Sequence, residues 1–138
     1  MEEKIDLFRG KYFFLSNFYV GSDGFCVEKE FQAHKTTNNE DIKLILNAKT
    51  PGEAKKLGNN IIMRKDWIDI KFSVMEKLVR QKFSKEPLCS MLIETGDAEL
   101  IEGNKWYDTF WGICKGKGEN HLGRILMKIR SEMKENNR

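Results

Sequence analysis

The segment from Trp67 to about Lys85 constrains the fold most, because it predicts one long amphipathic helix. Its apolar residues recur at the three- and four-residue spacing of a single helical face: Trp67, Ile70, Val74, Met75, Leu78, Val79 and Phe83. Asp66 stands directly before this run and is a suitable N-cap. The pattern therefore predicts a helix with one buried face and one charged face.

Shorter helices are predicted on both sides of this long helix, each from its own start or stop signal. We expect them over Glu28 to about Thr37, Asp41 to Asn47, Gly52 to Leu57 with Pro51 at the first position and Gly58 at the end, from Pro87 to before Gly96, and after Asn120. Short strands are predicted over Lys11 to Leu15, Phe25 to Val27, Ala98 to Glu102 and Trp106 to Trp111. The predicted fold class is α+β and mainly helical, with a small antiparallel β element.

Composition predicts one globular domain over residues 1–138. With 40% hydrophobic and 33% charged residues, a chain of 138 residues has enough apolar surface for one core. Its three cysteines are widely spaced without a C-x-x-C pair, which favours reduced thiols and a cytoplasmic location. No signal peptide, membrane span or metal-ligand spacing is recognisable, so we expect no membrane association and no bound metal.

Two segments in the first quarter of the chain have the residue types of a binding or catalytic site. In Phe14-Leu-Ser-Asn-Phe-Tyr19, Asn17 lies among aromatic residues, although it would also serve as the cap of a turn. In the helix predicted from Glu28, the residues Glu28, Phe31, Gln32 and Lys35 share one face. That face is either a solvated surface or a partly buried acid/base group, and Phe31 favours the second.

A third segment combines aromatic residues with glycines near the end of the chain. Asp108 lies within Trp106-Tyr-Asp-Thr-Phe-Trp-Gly112, where a buried carboxylate needs a partner. The Gly-rich run that follows opens a helix, whose first N–H groups are able to bind an anion. Residues 55–85 hold nine Lys/Arg and three Asp/Glu, a net charge of +6, and within them Arg64 and Lys71 are the best candidates to reach a ligand. These features favour a phosphate-bearing partner, although the charges also fit a solvated helix face.

Taken together, the motifs resemble those of the YbiA-like family, also called NADAR, over nearly the whole chain. The resemblance rests on Phe14-Leu-Ser-Asn-Phe18, Glu28-x-x-Phe-Gln-x-x-Lys35, Arg64-x-Asp-Trp67, Lys71-x-x-x-Met75, Asp108-x-x-Trp-Gly112, Gly118-x-Asn-x-Leu-Gly123 and Leu126-Met-x-Ile-Arg130. Each motif is short, but their order and spacing together are specific. The sequence departs from some relatives at Glu30, where they have an aromatic residue, and at Ile113-Cys-Lys115, which is less rich in glycine.

The resemblance implies a hydrolase that cuts the bond between a ribose C1′ and a base-type nitrogen. It implies that Glu28 and Asp108 are catalytic. The substrate-binding residues predicted with them are Asn17, Phe18, Gln32, Lys35, Arg64, Trp67, Lys71, Trp111, Gly112, Gly118 and Asn120. No cofactor is expected.

Characterised relatives indicate two substrate classes. The first hypothesis is removal of ADP-ribose from a modified base, such as guanine in nucleic acid. The alternatives are cleavage of ribosylamino-pyrimidine phosphates of riboflavin synthesis, or a module that binds ADP-ribose or NAD without cutting it. The expected partner is thus an ADP-ribosyl or phosphoribosyl substrate, with nucleic acid as a possible carrier.

Overall fold

Helices account for most of the regular structure in the computed structural model, which describes residues 3–136. In chain order the elements are β1 Lys4–Ile5, a 3-10 helix Gly10–Leu15, α1 Val27–Ala33, α2 Asn39–Leu46, α3 Pro51–Gly58, α4 Trp67–Phe83, α5 Leu88–Glu94, β2 Glu99–Leu100, β3 Gly103–Asn104, β4 Ile113–Cys114 and α6 His121–Asn136. The predicted class, α+β and mainly helical, is confirmed. No helix in this described range has the length and apolarity that a membrane span requires.

The chain divides into two compact units. One unit consists of residues 17–82, and the other joins the described residues 3–16 to residues 83–136. We refer to them as the middle unit and the terminal unit. Each has its own buried apolar side chains.

In the middle unit, α1, α2 and α3 pack around a small cluster of buried aliphatic residues. The cluster comprises Ala33, Ile45, Ala48 and Ala54. Two helix starts have the caps that the sequence favours. The Asn38 side chain accepts the Asp41 N–H, and the Thr50 hydroxyl accepts the Glu53 N–H just before α3. Pro51 occupies the first turn of α3, as predicted.

In the terminal unit, α6 packs against α5 and β2. Its buried stripe is the predicted one and contains Leu122, Ile125, Leu126 and Ile129. Two strand pairs lie beside it. β1 pairs with β2 and β3 pairs with β4, each over two residues and each parallel.

Four local predictions are wrong. Residues 11–15 form a 3-10 helix, because Phe14 and Leu15 are both buried and adjacent, which an alternating strand does not allow. Residues 25–27 form no strand, since α1 already begins at Val27. Residues 106–111 are turned rather than extended, with Tyr107 at a φ of 65°. The predicted antiparallel pairing is replaced by two parallel pairs, and the antiparallel contact in the described range is an isolated bridge between Cys114 and Lys117.

Candidate active site

Glu28 lies in the first turn of α1 in the middle unit, and its side chain is buried at 8% exposure. Its backbone N–H donates to the Asn17 carbonyl at 3.0 Å, which ties the predicted Asn17 segment to the start of this helix. One turn later, Gln32 Nε2 donates to Glu28 Oε2 at 2.6 Å. The predicted shared face of Glu28 and Gln32 is therefore an inward-facing one.

Lys35, just beyond the end of α1, interacts electrostatically with this carboxylate. Lys35 is half-buried, and its pKa is lowered from the ordinary value mainly by burial and further by the charges of Lys55 and Lys71, whereas Glu28 raises it. Lys55 also places its ammonium 6.0 Å from the centre of the Phe18 ring. Lys35 thus interacts with Glu28, Lys55 and Lys71, so the middle unit holds a buried carboxylate beside a half-buried lysine that has two further lysines near it.

The predicted aromatic residue of this unit packs internally. Trp67 is 4% exposed, and its ring centre lies 5.0 Å from that of Phe31. The Asn17 side chain donates to Met75 Sδ at 3.5 Å. Trp67 thus packs α4 against α1, and Asn17 joins α4 to the segment before α1.

Arg64 is engaged by a neighbour. Its guanidinium bonds both Asp66 oxygens, at 2.6 and 3.2 Å. Its backbone N–H donates to the Lys35 carbonyl at 2.7 Å, which places residue 64 beside the end of α1. A phosphate at this position would have to share Arg64 with Asp66.

Asp108, in the terminal unit, is held in one orientation by its backbone neighbours. Its Oδ1 accepts the N–H groups of Phe110 and Trp111, at 3.1 and 2.9 Å. Asn104 Nδ2 donates to the Asp108 carbonyl, and Asn104 Oδ1 accepts the Asp108 N–H. Part of the carboxylate therefore shapes the loop that carries Trp111.

Asn120 and the glycines near it form the inner wall of that loop. Asn120 is buried with a φ of 55°, and its side chain bonds the Leu100 carbonyl and the Glu102 N–H. A Cβ on Gly112 would overlap Glu102, and one on Gly118 would overlap the Gly112 carbonyl. Because the packing is so close, Gly112, Gly118 and Asn120 determine the conformation of the loop.

The N–H groups expected to bind an anion before α6 already have protein partners. Those of residues 119–122 donate to carbonyls of residues 109–112, at 2.8–3.3 Å. The loop and the start of α6 are thereby joined by a ladder of backbone hydrogen bonds. This arrangement accounts for the glycines of the segment by close packing.

Three residues with a place in these arrangements were not predicted. Lys55 acts on Lys35, Asn104 anchors Asp108, and Lys82 is buried at 3% exposure beneath the Tyr19 ring. For Lys82 the sequence does carry a signal, since it falls three and four residues after the buried Val79 and Leu78. No such periodic signal marks Lys55, whose neighbours are set by tertiary packing, or Asn104, which contacts Asp108 four residues away within an irregular loop.

Comparisons with known proteins place the chain among a defined set of relatives. A family model described as NADAR domain matches residues 8–134. A riboflavin biosynthesis protein of Vibrio vulnificus is 38% identical over 132 residues, which are 88% of this chain and 36% of that protein. An N-glycosidase of Nostoc punctiforme is 39% identical over 115 residues, or 78% of this chain and 73% of that protein.

Among solved structures, the NMR structure of the E. coli protein YbiA matches with a TM-score of 0.83 and 31% identity. The match covers 99% of this chain and 89% of that one. This chain spans only about a third of the length of the Vibrio protein. Its similarity to that larger protein therefore concerns one part of it.

Proposed function

We propose that this chain, which belongs to the NADAR domain family, hydrolyses the bond between C1′ of a phosphate-bearing ribose and a base-type nitrogen. The observation that carries the proposal is the buried Glu28 carboxylate, which accepts a hydrogen bond from Gln32 and lies within the electrostatic reach of Lys35. The name of the Nostoc relative, an N-glycosidase, supports the same reaction.

Hydrolysis of the C1′–N bond requires a negative charge near C1′ and an activated water. Cleavage of the C1′–N bond passes through a state with positive charge on C1′ and the ring oxygen, which a carboxylate stabilises. In our proposal, Glu28 takes a proton from water as the water oxygen bonds to C1′. The electron pair of the broken bond leaves with the nitrogen, which takes up a proton from solvent, and Glu28 then returns its proton to solvent, so that one water molecule is consumed. The lysines near Glu28 bind the phosphate groups of the substrate.

For the substrate, we propose first an ADP-ribosyl group on a base such as guanine in nucleic acid. The formal net charge of residues 55–85 is +6, and even without the buried Lys82 this excess of positive charge supports a substrate with two or more phosphates. Phe18 supports it as well, since its ring, next to Lys55, is partly exposed and able to contact a base.

A second candidate substrate is a ribosylamino-pyrimidine phosphate. The Vibrio relative that supports it is named a riboflavin biosynthesis protein and is 38% identical to this chain. Such a mononucleotide needs only one phosphate site, for which Lys35, Lys55 and Lys71 suffice in number. The reaction at C1′ would be the same.

Product analysis by mass spectrometry tests the reaction and separates these substrates. Purified protein is incubated with guanine-ADP-ribosylated DNA and, separately, with a ribosylamino-pyrimidine phosphate. Release of ADP-ribose from the DNA supports the first candidate, and release of the pyrimidine alone supports the second. Binding of either compound without a product would overturn the hydrolase and favour a binding module.

The role of Glu28 is tested by Glu28→Gln, which keeps the size of the side chain and removes its charge. We expect a loss of about 100-fold or more in kcat, the usual contribution of a general base. The control is Glu30→Gln, two residues away on the same helix, which we expect to keep near-normal activity. Full activity in a folded Glu28→Gln protein would refute this assignment, and Asp108→Asn tests the second predicted catalytic residue in the same assay.

A further inference from the structure

Gln32 makes a single side-chain contact that bears on the proposed chemistry. It is 4% exposed, and its Nε2 donates to Glu28 Oε2 at 2.6 Å. Since the acceptor is a carboxylate, this hydrogen bond is strongest when Glu28 is ionised. It also restrains the Glu28 carboxyl group toward the next turn of α1.

The other half of the same amide is in an unfavourable environment. Gln32 Oε1 is buried, and within residues 3–136 it has no hydrogen-bond partner. An unsatisfied buried acceptor costs free energy, and such atoms are uncommon in folded proteins. An apolar side chain of similar length would avoid this cost. The amide is thus explained by its bond to Glu28 and not by its contribution to the core.

Gly58, the last residue of α3, provides the space for this amide. A Cβ placed on Gly58 would overlap Gln32 Oε1 and would lie 2.8 Å from Cδ and 3.2 Å from Cβ of Gln32. Contacts below about 3 Å do not occur for real Cβ atoms, so Gln32 would have to move. Because the α1 backbone fixes the position of Gln32 Cβ, the amide group at the far end of the side chain is the part that would move.

We propose that Gln32 is a positioning residue that holds Glu28 ionised and correctly oriented, and that Gly58 keeps α3 far enough from Gln32 to allow this. The proposal rests on the proposed function of Glu28. In this proposal Gln32 acts by binding the Glu28 carboxylate and not by contacting the substrate. Gly58, at the end of α3, was not among the predicted site residues, and here it affects the reaction through Gln32.

Two variants and one matched control test this role. Gln32→Met keeps the length of the side chain and removes both polar atoms, whereas Gly58→Ala leaves Gln32 unchanged but displaces its amide. The control is Gly52→Ala, in the same helix, where the nearest atom to the new Cβ is Thr50 Oγ1 at 3.9 Å. Each protein is assayed for kcat/KM against pH, and its melting temperature is measured.

We expect both variants to lower kcat/KM at neutral pH about ten-fold, the effect of one hydrogen bond to a charged group. The acid limb of the pH profile, which reports the free-enzyme carboxyl, should move up by about one pH unit. Gly52→Ala should change neither quantity. Gln32→Met loses the hydrogen bond to Glu28 but also removes an unsatisfied polar atom, so its melting temperature should stay close to that of wild type. A purely structural role would instead lower the melting temperature and leave the acid limb in place.

A titration followed by carbon-13 NMR of labelled Glu side chains separates this inference from the proposed function. If the wild-type protein cleaves neither substrate but Gln32→Met raises the Glu28 pKa by about one unit, the reaction is wrong and the positioning role stands. If the wild-type protein is active and the Glu28 pKa does not move in either variant, the positioning role is overturned.

Discussion

At the scale of single residues, Lys82 is the side chain whose environment is most unusual. It is 3% exposed near the end of α4, with its ammonium 5.3 Å from the centre of the Tyr19 ring. Burial lowers its pKa from 10.5 to about 7, although the nearby Cys26 acts in the opposite direction. The folded protein therefore resists protonation of this amine, and the unfolded chain does not.

This difference makes stability depend on pH. Between pH 7 and 10.5 the unfolded chain binds the Lys82 proton more strongly than the folded protein, so the free energy of unfolding rises with pH. The slope for one proton is at most about 1.4 kcal/mol per pH unit. We expect wild-type stability to rise from pH 7 to pH 8.5 and Lys82→Met to flatten that rise.

Urea unfolding at several pH values measures this effect. Lys77→Met, an exposed lysine on the same helix, is the control and should keep the wild-type slope. An equal slope in wild type and Lys82→Met would show that the amine is not buried as described.

At the scale of elements, the contact between α6 and β2 depends on the absence of a side chain at Gly123. A Cβ at this position would overlap the Leu100 carbonyl, which is a backbone atom of β2. Further along α6, Arg130 is buried and donates to Thr95 Oγ1 and to the Ala98 carbonyl, both at 2.8 Å. The helix is thus held against β2 at its start and against the segment before β2 at its end.

Gly123→Ala changes the free energy of unfolding in two opposite ways, through helix propensity and through steric overlap. Alanine favours a helix over glycine by about 1 kcal/mol. Overlap with the Leu100 carbonyl costs about 1–3 kcal/mol, and the new Cβ would also overlap the Asn120 side chain, which its own hydrogen bonds hold in place. We expect the clash to exceed the gain, with a loss in the free energy of unfolding of about 1–2 kcal/mol.

Thermal and urea unfolding test this expectation. Gly52→Ala, which meets no close atom in α3, should instead stabilise the protein by up to about 1 kcal/mol. If Gly123→Ala were as stabilising as Gly52→Ala, the close approach of α6 to Leu100 would be wrong.

At the scale of the whole molecule, the predicted family is confirmed by the match over residues 8–134. Relatives named N-glycosidases, at 34–39% identity, support the predicted enzyme class, a hydrolase of N-glycosyl bonds, which for this chain stays a proposal. The substrate, the cytoplasmic location and the organisation of residues 1–138 as one domain stay predictions.

The dependence of the reaction on salt discriminates between the substrates at this scale. If the protein contacts four phosphates of a DNA substrate, the logarithm of kcat/KM should fall with the logarithm of salt concentration with a slope of about −3.6. The same modified guanine as a free base compound should show a much smaller slope. Steady-state assays between 50 and 300 mM NaCl, on both compounds, measure the difference. Equal slopes would show that the basic segment 55–85 makes no contact with the nucleic acid.

By itself, the sequence determined the helices that have a long apolar repeat or a clear start signal. The face of α4, the stripe of α6 and the Pro51 start of α3 follow from apolar spacing and from backbone chemistry within a few residues. The Glu28 and Gln32 pair was predictable for the same reason, since residues four apart on a helix are neighbours. Family motifs added the reaction class, which no local pattern contains.

Only the tertiary structure decided the features that depend on residues distant in sequence. The pairing of β1 with β2 joins segments more than ninety residues apart, and two-residue strands carry too few side chains to signal their direction. The lowered pKa of Lys82, the space that Gly58 leaves for Gln32 and the hydrogen bonds of Asn120 arise from burial and close packing. Such contacts depend on the distance between elements, and a one-dimensional pattern of residue types does not contain that distance.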